Sequence, residues 1–257
     1  MASRKEEKER LRQERLKAEQ DASASARKRL MLGYIVAGAL TLAIAVGIVV
    51  AIAGGSSDDK GEPTGDAAAN VNTEFGVLDD DVQVDTREGT EPPPVENADL
   101  VGAARAANCE LKLDLPMEGN THFSDLNKVV KYDTQPPTSG DHYAANEPGS
   151  GALADGAFLN TPNWNRAVHA LEHGRVEIQY SPDLSEEDQL ALKGVFDTSG
   201  GVGVDLFPNA DMPYDVAVSA WTNLVGCDSY DGAATLDVVR DFRDQFLGQG
   251  PEPGFGI

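Results

Sequence analysis

The hydrophobic pattern has one dominant feature, an apolar run at residues 31–53 that reads MLGYIVAGALTLAIAVGIVVAIA and contains no charge over 23 residues. As a helix it rises about 34 Å, enough to cross a hydrocarbon core of about 30 Å. Arg27, Lys28 and Arg29 precede it, and Ser56, Ser57, Asp58 and Asp59 follow. The positive-inside rule then places the N-terminus in the cytoplasm and the rest of the chain outside it, in a single-pass cell-membrane topology. Ala51-Ile52-Ala53 resembles a signal-peptidase site. The apolar stretch exceeds the roughly 7–15 residues of a signal h-region, however, so an uncleaved anchor is expected. Ala39, Ala43, Gly47 and Ala51 form a small-residue stripe through which two such helices could pair as a homodimer.

Beyond the span the pattern is quiet. Residues 54–99 are rich in Gly, Asp, Glu, Ala and Pro, and show no hydrophobic period, which predicts a flexible acidic linker. Periodicity returns near Leu100. A short helix is expected at 100–104. A half-buried strand follows, in which Cys109, Leu111, Leu113 and Leu115 alternate with polar residues, and another strand is expected at 129–132. Pro136-Pro137-Thr138-Ser139-Gly140 reads as a stiff turn. Residues 163–173 read as a helix ended by Gly174, and Val176, Ile178 and Tyr180 alternate as a strand. Ser185 opens a helix with a capping-box-like pattern, and Val216 and Val218 mark a strand leading to Trp221. Thr235 is expected to cap a last helix with Leu236, Val239, Phe242 and Phe246 on one face. The fold class is α+β, a small mixed or antiparallel sheet with flanking helices. It occupies residues 100–257 and follows the charged segment 1–30, the transmembrane helix 31–53 and the linker 54–99.

Charge sharpens this layout. The 257-residue chain carries a net charge of −22, yet residues 1–30 hold ten basic and six acidic side chains, leaving eleven basic and 37 acidic for the rest. The N-terminal segment suits a solvated helix near anionic lipid. The acidic remainder repels phosphates, which argues against nucleic acid as a partner. Cys109 and Cys227 both follow the span. In an oxidising compartment they are expected to form a disulfide, the alternative being two buried free thiols.

The candidate chemistry lies in four histidines, His122, His142, His169 and His173. On a helix His169 and His173 fall about 40° apart, with Glu172 about 60° to the other side of His169. Two readings fit. These residues are the polar face of a surface helix, or the i,i+4 histidines converge on a metal. His142 follows the rigid proline turn, a good mount for a ligand. Neutral imidazoles suit zinc or copper among other ions. His-x-x-Glu-His is also a zinc-peptidase pattern in which Glu172 would activate water. Against it, the helix stops at Gly174 and the supply of a later carboxylate ligand is thin. Trp221 reads as a core residue.

Three blocks carry a family resemblance. They are Pro136-Pro137-Thr138-Ser139-Gly140-Asp141-His142-Tyr143, Val168-His169-Ala170-Leu171-Glu172-His173-Gly174-Arg175-Val176, and Ala220-Trp221. Together with Cys109, Cys227 and Gly250-Pro251-Glu252, they resemble the bacterial domain-of-unknown-function 3105 family over roughly residues 109–252. That resemblance implies a membrane-anchored envelope protein whose histidines, His122 included, form a recurring constellation. It implies no activity. Three functions therefore stand as expectations. The first is an extracytoplasmic metal-binding module with His142, His169, His173, His122 and Glu172 as candidate ligands. The second is a metal-dependent hydrolase, and the third a structural or partner-binding domain whose histidines only make hydrogen bonds.

Overall fold

In the computed structural model, which describes residues 71–74, 76–144 and 151–252, the apolar and polar alternation resolves into short elements. In chain order they are β1 (Val71–Asn72), α1 (Leu100–Ala106), β2 (Glu110–Lys112), β3 (His122–Phe123), β4 (His142–Tyr143), β5 (Asp155–Ala157), α2 (Trp164–Glu172), β6 (Val176–Tyr180), α3 (Glu186–Thr198), β7 (Val204–Pro208), β8 (Val216–Ala220), β9 (Asn223–Cys227) and α4 (Gly232–Phe246). Residues 1–70, and with them the expected anchor, its small-residue stripe and the start of the linker, lie outside the described residues. Among those described, no helix is long and apolar enough to cross a membrane.

The main sheet runs β1-β5-β7-β6-β8-β9-β2. It is mixed, because β5, β7 and β6 run parallel while the other pairs are antiparallel. A separate parallel pair joins β3 to β4, with His122 opposite His142. With seven strands the sheet is larger than expected. Its extra strands are invisible to an alternation test. β5 has three residues and β1 two, and β7 is buried on both faces.

Period-2 geometry sends alternate residues of each strand to opposite faces. On one face Val176, Ile178, Val204, Leu206, Val216 and Val218 form the main core with Leu192, Phe196, Val239 and Phe242 of α3 and α4 and with α1. Each such buried side chain contributes about 1.5–3 kcal/mol. The Cys109–Cys227 disulfide forms, beside this core. On the other face Phe207 packs with Phe158, Leu153 and the Ala167 and Ala170 side of α2. Helix α2 therefore lies on the sheet face away from α3 and α4, with eight of its nine residues buried.

Several local expectations need correction. Residues 71–99 are not a free tether. Val77 and Val84 bridge to Leu153 and Phe158, and Gly89 donates to Asp197 at 2.9 Å. Glu96 and Asn97 donate their amides to Asp237, and buried Arg166 is paired with Asp79. Isolated apolar residues on an extended strap have no period to detect, because their partners are far along the chain. Residues 129–132 form no strand. Val129 is exposed, and Tyr132 alone is buried, against Val168, Leu171 and Trp221. The last helix begins at Gly232 with Asp231 as its N-cap, and Thr235 lies inside it, its hydroxyl accepting the Asp231 amide. Ser185 does cap α3, accepting the Asp188 amide at 3.2 Å.

Candidate metal centre

Helix α2 is started by Asn163, whose side chain accepts the Asn165 amide at 2.9 Å. It ends at His173 because Gly174 adopts φ +84°, a left-handed conformation that glycine takes without strain. Residues 248–252 wrap over this terminus. Gly248 donates to the Gly174 carbonyl at 2.8 Å and Glu252 to the Glu172 carbonyl at 3.1 Å. Burying both the apolar and the polar arc of α2 turns His169 and Glu172 inward, with exposures of only 1% and 2%. The surface-helix reading is thus replaced by a buried one.

The proline turn supplies His142. The Gln135–Pro136 peptide is cis, and Gly140 has φ +145° with no room for a side chain, since a Cβ would meet the Tyr132 ring at 2.5 Å. The turn is pinned to the β8–β9 hairpin by the Thr222 amide, which donates to the Thr138 carbonyl at 2.9 Å. Trp221 on that hairpin lies edge-on to His142, ring centroids 6.2 Å apart. It is a core residue, as expected, but one that walls the site.

Four side chains converge. One donor atom from each of His122, His142, His169 and Glu172 lies within 4.8 Å of the others. Three of these atoms form a tight triangle. His142 Nε2 is 3.0 Å from Glu172 Oε2, His122 Nε2 is 3.1 Å from the same oxygen, and the two nitrogens are 3.1 Å apart. His173 stands one step back, its Nε2 2.9 Å from His169 Nε2. The structure thus brings all five sequence-predicted residues together, with His173 reaching the group through His169.

The protonation pattern is informative. The Gly140 carbonyl lies 2.8 Å from His142 Nδ1 and can only accept, so His142 carries its proton on Nδ1. The Glu252 carbonyl does the same for His173 Nδ1 at 2.9 Å. Burial pushes His142 down to about 4 and lowers His169 and His173 as well, so these rings are neutral at pH 7. The Nε2 atoms of His142 and His173 are therefore lone pairs directed at other donors. A carbonyl on the outer nitrogen is how ligand imidazoles are commonly oriented. The Nδ1 of His169 is buried with no hydrogen-bond partner. Burial also raises Glu172.

No sequence signal marked the carbonyls of Gly140 and Glu252 as functional, since backbone groups carry no residue-type signature. Nor was the polar layer behind α2 anticipated. There Glu177, Asp205, Asp155 and Arg175 are each no more than 1% exposed, and Arg175 Nε donates to Asp155 at 2.9 Å.

Fold and site together define an α+β domain with a buried imidazole–carboxylate cluster. The family of proteins of unknown function designated DUF3105 matches residues 123–255, and the chain belongs to it. The match takes in His142, His169, Glu172 and His173 and begins just after His122. No curated protein and no solved structure matches the chain.

Proposed function

We propose that this protein is a membrane-anchored, extracytoplasmic metal-binding module, with His122, His142, His169 and Glu172 as ligands and His173 orienting His169. One observation carries the reading. The lone pair of His142 Nε2 faces the Glu172 carboxylate at 3.0 Å with no proton of its own to share. Two acceptors at that separation need a shared proton or a metal ion between them, and the convergence of two more donors, His122 Nε2 at 3.1 Å from both and His169 within 4.8 Å, favours the metal. The 3.0–3.1 Å edges of the triangle suit neighbouring donors each about 2.0–2.2 Å from one ion. Zinc and copper are the candidate ions, because three imidazoles and one carboxylate suit both. The uncharged span at residues 31–53, with basic residues before it, supports the location. The disulfide fits an oxidising compartment.

The hydrolase alternative asks Glu172 to hold and deprotonate a water. Its Oε2 instead lies among the ligand nitrogens, and Glu252 turns its backbone carbonyl, not its carboxylate, to His173. The geometry favours binding.

The test is elemental analysis of the purified full chain after loading with zinc or copper and dialysis at neutral pH. About one ion per chain is expected, lost in His142→Ala and His169→Ala while the circular dichroism spectrum stays folded. Wild-type protein that retains no metal overturns the proposal.

A further inference from the structure

The four donors are not mounted alike. His142, His169 and Glu172 are buried on the helix and the pinned turn, whereas the His122 side chain is 35% exposed. His142 has its outer ring nitrogen fixed by a carbonyl. His122 Nδ1 makes no hydrogen bond among the described residues; every contact of this ring is through Nε2 or ring packing. Its backbone belongs to a segment, residues 113–131, in which no side chain is buried. That segment is held by polar contacts at the surface rather than by buried side chains of its own. The Asp114 and Leu115 amides donate to Asn223 Oδ1 and the Thr222 carbonyl, Tyr143 and Asn165 donate to the Leu126 and Lys128 carbonyls, and Lys128 pairs with Asp141. The His142 amide donates to the Thr121 carbonyl at 3.1 Å and the Ala144 amide to the Phe123 carbonyl at 2.8 Å. The Glu118 and Thr121 amides donate to Ser139 Oγ and Asp141 Oδ1. The Glu118 carboxylate in turn accepts from the Asp133 and Thr134 amides. Segments with few buried contacts and surface hydrogen bonds open at lower free energy than the core they cover.

We infer that the site is a transfer site, which exchanges its ion with an incoming imidazole or carboxylate donor through the His122 edge. The inference rests on the metal-binding reading above. In the exchange step the incoming donor forms a bond to the metal as the bond to His122 Nε2 breaks. His122 leaves with its electron pair and the metal does not change oxidation state. The ion stays on His142, His169 and Glu172 until further donors replace them. A permanently held structural ion would have every ligand buried and oriented by a neighbour.

The experiment follows release of zinc from the loaded full chain to the chromogenic chelator 4-(2-pyridylazo)resorcinol by its absorbance. Wild-type release is expected to rise in proportion to chelator concentration, as an associative step requires. His122→Ala is expected to speed release by roughly tenfold or more, while His142→Ala prevents loading. Glu118→Ala, which loosens the segment and leaves all ligands in place, is expected to speed release several-fold. Release independent of chelator concentration, or unchanged rates in both His122→Ala and Glu118→Ala, overturns the transfer inference with the metal site intact. Loss of loading in His122→Ala equal to that in His142→Ala also overturns it. Wild-type protein that takes up no zinc or copper refutes the metal-binding reading itself, a distinct result.

Discussion

Replacing Glu177 with glutamine probes the polar layer beneath the site. Glu177 is 1% exposed, faces Asp205 across β6 and β7, and has one carboxyl oxygen with no partner. The other lies 3.1 Å from Gln179 Nε2 and 3.4 Å from Ser219 Oγ. Burial pushes its pKa up from 4.5 to about 8, against the weaker opposing effect of those two hydrogen bonds. Between these values the folded protein keeps a proton that the unfolded chain has released. The Glu177 contribution to stability therefore falls as pH rises from about 4.5 to about 8, while the buried neutral histidines add a rise below about 6.5 that wild type and variant share. Each pH unit between the two values corresponds to about 1.4 kcal/mol, so the ceiling for the whole window is on the order of 5 kcal/mol. A glutamine side chain at this position keeps the shape and stays neutral. Wild type and Glu177→Gln are expected to differ by less than about 1 kcal/mol at pH 5, and the variant to be more stable by a few kcal/mol at pH 8–9. Urea unfolding of the oxidised protein across pH 5–9 measures this. Asp205, raised in the same direction by burial, is common to both proteins, so its contribution largely cancels in the difference. Parallel curves for the two proteins, or wild-type stability that rises over this window and is matched by the variant, would refute the reasoning.

Three further outcomes are expected. Replacing both Cys109 and Cys227 with serine should lower stability by about 2–5 kcal/mol, read from the same urea curves. Asp79→Ala removes the carboxylate at 2.6 Å from the buried Arg166 guanidinium and should cost about 1–3 kcal/mol; no loss would mean that residues 71–99 do not hold to the domain in solution. Gly250→Ala would drive a Cβ into the Glu172 carbonyl and the Gly174 amide. It should cost about 1–3 kcal/mol and, by shifting the Glu252 carbonyl off His173, reduce zinc retention in dialysis.

The elements legible in the sequence are those whose signals are local. The helix expected at 163–173 forms as α2, because Asn163 caps it and Gly174 stops it within the helix's own length. Strand β6 shows its alternation over five residues, and Ser185 marks the start of α3 with its own hydroxyl. The same periodicity placed His169, Glu172 and His173 on one arc, and the proline turn singled out His142. Which side of that arc meets protein was not local information. It depends on Phe207 and Phe158 holding one flank, Tyr132 and Trp221 the other, and residues 248–252 closing over Gly174.

Strand β5 and the 71–99 strap escaped notice because a two- or three-residue pairing takes its stability from a partner dozens of positions away and leaves no period behind. The convergence of His122 and His142 has the same origin, a register set by pairing β3 with β4 across the loop between them. Sequence alone determined the residue types of the site and the rigid mounts of most of them. Only the tertiary structure decided that their donor atoms converge, because that depends on strand pairing, two backbone carbonyls and burial, none of which is written in any single residue.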